Sequence, residues 1–240
     1  MRAEALATHA PFEPHARSPV ESFLPRVLAG LASLVRRLPF RALASWGAAL
    51  GWLAGSVLRI RRAHVEAAMR RAGMGDADAN EQARAMYRAL GASLLELLWI
   101  SASSSPREPL GAFIRMDVAS RARWDAASAR GRGVVVAASH TGNWDLAACG
   151  MAAELELLVV TKRLSVKGFD AFWQGARAAR GVVLSDAEGA LARGRSTLAR
   201  GGAVAMMIDQ VPASSAHAVH VHFLGARAHV DRAPATLAAR

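Results

Sequence analysis

His140 and Asp145 stand five positions apart in the stretch GRGVVVAASHTGNWDLAACGMAA, residues 131–153. An imidazole whose far ring nitrogen donates to a carboxylate is held in one tautomer and made more basic, which suits it to take a proton from an alcohol. In one continuous helix, side chains five apart point about 140° away from each other, so these two meet only if the chain bends between them. Thr141-Gly142-Asn143 supplies a segment able to bend. Each residue also has a plainer reading. Asp145 suits the positive end of a helix, and His140 suits a loop in which it bonds to backbone.

The elements that must hold this pair are legible around it. Gly131 and Gly133 end a helical pattern over 119–129, residues 134–138 form a β-rich apolar run, and an Ala/Leu-rich helix follows Asn143. Further strands are predicted at 155–161, 182–185 and 203–208, with helices over 166–179 and 187–198. Strand alternating with helix predicts an α/β fold with a mainly parallel central sheet flanked by helices. Asp209 then ends a buried strand as His140 does, so both are expected on the carboxyl edge of the sheet, in one cleft.

These residues resemble a known family. His140-Thr-Gly-Asn-Trp-Asp145 is similar to the His-x4-Asp/Glu motif of glycerolipid acyltransferases. Its Gly-Asn-Trp most resembles the late lipid A acyltransferase branch, where the acid is more usually Glu. Met207-Ile208-Asp209-Gln210, Phe223-Leu224-Gly225, and Arg177 with Arg180-Gly181 resemble further elements of that branch, in the expected order across roughly 43–240.

The resemblance implies transfer of an acyl chain from a thioester to a hydroxyl of a membrane glycolipid such as a lipid A precursor. In it His140 is the general base, Asp145 its orienting acid, and Gly142, Asn143, Arg177, Arg180, Asp209 and Gln210 bind substrate. It implies no cofactor and no metal. The co-substrate is a thioester of acyl carrier protein or coenzyme A, the acceptor an anionic membrane lipid or glycolipid, and the location the cytoplasmic face of the bacterial inner membrane. Two alternatives stay open: a lysophospholipid acyltransferase, against which stands the lack of a strongly basic, proline-containing downstream motif, and a noncatalytic membrane-binding homologue.

A chain of 240 residues, 52% apolar, suits one α/β domain with an N-terminal accessory segment. The charge of +11 is almost all arginine, Lys162 and Lys167 being the only lysines, and favours anionic partners. Nucleic acid is disfavoured, since no zinc-ligand spacing, recognition helix or aromatic stacking cluster accompanies the charge. The single Cys149 allows no internal disulfide and reads as a small packed residue. His220 and His222 would share a strand face, but no carboxylate follows until Asp231, so ordinary strand histidines are the preferred reading.

Residues 1–26 are expected to be a flexible tail without a secretory signal, 27–105 a helical membrane-associated region, and 106–240 the acyltransferase domain. Between Arg41 and Arg59 the chain carries no charge. This run reads as a short membrane span, an interfacial helix or a core helix, with the membrane readings preferred. Gly47, Gly51 and Gly55 at four-residue spacing permit close helix packing, Trp46 and Trp52 suit an interface, and Arg59, Arg61 and Arg62 would face anionic lipid. The helix beginning near Pro234 is still running at Arg240, and resembling proteins continue further, so an incomplete C-terminus is expected.

Overall fold

Four short apolar runs build the sheet in the computed structural model, which describes residues 19–102, 110, 113–212 and 214–239. β1 (Val134–Ala138), β2 (Leu157–Val160), β3 (Val182–Ser185) and β4 (Ala203–Met207) are all parallel and lie in the order β1-β4-β2-β3. Strand periodicity divides their side chains between two faces. Leu157 and Val159 enter the larger core, while Leu158 joins Val204, Met206 and Leu237 in a smaller one. α6 (Trp144–Ala152) and α7 (Lys167–Ala178) pack together against β3, whereas α8 (Ala190–Ala199) and α9 (Ala233–Ala238) pack together near β4 and β1. This is the parallel sheet flanked by helices that the alternation of elements implied.

Register fixes what the sheet can bring together. Val134 lies opposite Ala203, Ala138 opposite Met207, and Ile208 N–H donates to the Ala138 carbonyl at 2.9 Å. The segments leaving β1 and β4 therefore start side by side. β5 (Ala218–Phe223) and β6 (Ala226–Asp231) form a separate antiparallel hairpin, turned at Leu224 and Gly225, whose φ values are 49° and 74°.

The front of the chain is α1 (Pro19–Val35), α2 (Phe40–Trp52), a π-turn (Leu53–Val57), α3 (Arg62–Arg71) and α4 (Asp76–Ser101), with α5 (Val118–Ser128) leading into β1. Of the tail expected over 1–26, residues 19–26 are helical, since α1 begins at Pro19 and packs on α7 and α4. Residues 1–18 lie outside the described residues. Residues 76–79 are the first turn of α4, where Asp76 and Asp78 meet the positive helix end.

The three spaced glycines serve packing against α4. A Cβ on Gly51 would lie 1.9 Å from the Tyr87 carbonyl oxygen, and one on Gly47 would lie 2.4 Å from the Ala92 Cα. Leu43, Gly47, Gly51 and Gly55 are buried on that face, while Trp46 and Trp52 point outward, 60% and 49% exposed. Among the described residues no single helix is long and apolar enough to cross a membrane; the pair Phe40–Val57 and Arg62–Arg71 meets those criteria together but is bent by 90°.

Candidate active site

Two loops at the carboxyl edge of the sheet build the site. After β1 the chain runs through Ser139, His140 and Thr141 to Gly142, whose φ of 61° is in the left-handed region that glycine tolerates. Asn143 then caps α6, its Oδ1 accepting from Leu146 N–H at 3.0 Å. The same side chain donates through Nδ2 to Glu96 Oε2 of α4 at 2.6 Å and to the Ser93 carbonyl at 3.4 Å. Asn143 thus ties the motif loop to both α4 and α6 instead of presenting a free side chain.

His140 is held by Asp209, not by Asp145 as the resemblance implies. Asp209 Oδ2 accepts the His140 backbone N–H at 2.7 Å and Oδ1 lies 2.8 Å from Nδ1. The two side chains are 32% and 31% exposed. The reason is the sheet: β1 and β4 are neighbours, so the residues just beyond them converge. Partial burial works to raise the Asp209 carboxyl, but hydrogen bonds from the His140 backbone and ring, with the attraction of the ring's charge, outweigh it and hold the group below its ordinary value. Gln210 Nε2 lies 3.4 Å from His140 Nε2, and Trp144 stacks edge-on to the imidazole at 4.9 Å.

Asp145 turns inward from the first turn of α6. Its Oδ1 accepts from Trp173 Nε1–H at 3.2 Å and lies 3.6 Å from Arg177 Nη1, with the acid and the arginine only 5% and 8% exposed. Burial raises the Asp145 carboxyl despite Arg177, Trp173 and His140, and burial likewise lowers Arg177 despite Asp145. Desolvation therefore outweighs pairing for both partners. Arg177 Nη2 also donates to Gln174 Oε1 at 2.7 Å and Thr161 Oγ1 at 3.2 Å.

Arg180 is buried too, and its Nη2 donates to the Ile100 carbonyl at 2.9 Å, so it fastens α7 to the end of α4. Cys149 is 1% exposed and its thiol is pushed up to about 11 by burial and by Asp145, in keeping with a packed residue. On the hairpin His220 faces His229, ring centroids 4.3 Å apart, and no group of three or more metal-ligating side chains occurs among the described residues.

Sequence reasoning brought His140 and Asp209 to one edge but did not pair them. It missed Glu96, Thr161, Trp173 and Gln174. The one signal for the last two was the helical spacing that puts Trp173 four residues before Arg177 on α7, with Gln174 three before it.

A model of the family described as bacterial lipid A biosynthesis acyltransferase matches residues 9–240. No curated protein matches the chain.

Proposed function

The chain belongs to the bacterial lipid A biosynthesis acyltransferase family, and from that premise we propose a specific reaction and machinery for this O-acyltransferase. The donor is a fatty acyl thioester of acyl carrier protein, and the acceptor a hydroxyl on a membrane glycolipid of the lipid A precursor class. The observation that carries the reading is the 2.8 Å contact between Asp209 and His140 Nδ1. With Nδ1–H given to Asp209, Nε2 of the neutral ring is the nitrogen that accepts a proton.

His140 Nε2 takes the hydroxyl proton as the alcohol oxygen attacks the thioester carbonyl. A C–O bond forms, the C–S bond breaks, and the proton passes to the departing thiolate. Asp209 is a positioning residue: it fixes the tautomer and stabilises the imidazolium. Oxyanion charge is met by the amides of Gly142 and Asn143 ahead of α6, where the helix end adds positive potential. Asp145 is a buried positioning residue for Arg177, and Gln210 lies at the rim of the imidazole, placed to meet substrate. The outward apolar residues and arginines of the front helices favour a working position on the cytoplasmic face of the inner membrane.

With purified chain, thioester donor and glycolipid in mixed micelles, His140→Ala and Asp209→Asn should each lower kcat/KM by about 10²–10⁴-fold without loss of folded circular dichroism. Undiminished turnover in Asp209→Asn sinks the proposed pairing. Preferred acylation of lysophosphatidic acid over the glycolipid would move the reaction to the lysophospholipid class instead.

A further inference from the structure

The corner between α2 and α3 holds a cationic cleft that acyl transfer at His140 does not use. Its volume is about 200 Å³, and Ser56, Arg59, Arg62, Glu66, Asn80 and Arg84 line it. Along α4, at about 1.5 Å per residue, Arg84 lies about 18 Å from Glu96, the residue that touches the motif loop, so the cleft is a separate place. We propose that it binds the phosphate of an anionic phospholipid headgroup while the outward face of α2 lies among the acyl chains.

Arg62, expected from sequence to face lipid, is the built floor of this cleft. It is 5% exposed and donates to Glu66 Oε1 at 2.5 Å, to the Gly55 carbonyl at 3.1 Å and to the Asn80 carbonyl at 2.8 Å. Its charge is thereby matched by Glu66. Arg59 and Arg84 are exposed, and their side chains make no hydrogen bond or ion pair among the described residues. Two guanidinium forks are thus left for a phosphate, which they can bind bidentately.

The backbone turns sharply at this corner. Arg59 and Arg61 have φ of 50° and 52°, a left-handed region where glycine or asparagine would sit at lower cost. The neighbours identify a lipid as the source of the phosphate. Val57, Leu58 and Ile60 are 52%, 62% and 53% exposed around Arg59. They continue an outward stripe of Trp46, Leu50 and Leu53 that has helical spacing and carries no charge. An apolar stripe ending in unpaired arginines fits an interface of acyl chains below phosphates.

The test uses the full chain carrying His140→Ala, so that lipid binding is read without turnover and independently of the acyl-transfer proposal. Flotation with phosphatidylcholine vesicles, with and without phosphatidylglycerol, gives the partition coefficient. Arg59→Gln/Arg84→Gln should lower it on the anionic vesicles by about 10–30-fold, near 1 kcal/mol per arginine. Arg130→Gln/Arg132→Gln, which removes equal charge at the amino edge of the sheet, should lower it less than about twofold, since those residues do not line the cleft. Arg59→Lys/Arg84→Lys should still lose at least about fivefold, because the forks are gone. Equal loss in the control pair, full binding by the lysine pair, or release from vesicles by soluble glycerophosphate would each overturn the proposal.

Discussion

Asp145 and Asp209 are both within reach of His140's charge, yet their protons are held in opposite ways. Burial raises Asp145, so between the ordinary carboxylate value of about 4 and its raised value the folded chain binds more protons than the unfolded one. Stability from this group is then lost as pH rises. Asp209 is lowered by His140, so its contribution is present above the ordinary value and is lost as pH falls through the lowered one. Asp145→Asn removes the first titration and leaves the second. The stability of wild type minus that of Asp145→Asn should therefore shrink as pH rises above the ordinary carboxylate value, measured by urea melts at a series of pH values. A difference that grows with pH would mean that attraction to Arg177 outweighs the cost of burying the carboxylate.

At the scale of elements, α4 carries the motif loop at one end and α2 along its length. Glu96 holds Asn143, which caps α6 and fixes the approach to His140. Removing one charged hydrogen bond of this kind costs about 1.5–3 kcal/mol. Glu96→Ala is therefore expected to lower kcat by roughly 10–100-fold while leaving the His140–Asp209 contact in place, a split that steady-state kinetics will read. Strands and helices were legible because apolar runs of the right length lie between glycines and polar turns, as at 134–138 and 182–185. The partner of His140 was not, because it depends on β4 inserting between β1 and β2, an order that no local pattern encodes. Asp145 looked like the partner because it is near in sequence. Gly142 does bend the chain, but the first turn of α6 carries the carboxylate beneath the loop to Trp173 and Arg177.

Across the whole molecule, the boundary near residue 105 that composition suggests does not divide the packing. Leu43, Leu97 and Ile100 from the front helices share one core with Leu157, Ala176 and Ala203 from the sheet region. Phe40, Trp99 and Phe113 join across that boundary with centroids 4.4–5.1 Å apart, and Arg36 lies over the Trp99 ring at 3.7 Å. On α7, Gly168 admits Leu24 of α1, whose Cβ would be 3.0 Å from a Cβ built on the glycine. A fragment of residues 106–240 would uncover the faces of α6 and α7 that these helices bury, and each fully buried large apolar side chain is worth about 1.5–3 kcal/mol. Against a total stability of about 5–15 kcal/mol for a domain, losing several such contacts removes the fold. The fragment should therefore show no cooperative thermal transition, while the full chain should melt with tryptophan fluorescence and far-ultraviolet circular dichroism changing together. A sharp melt of the fragment alone would restore the boundary and make the front helices an appendage, not part of the catalytic scaffold.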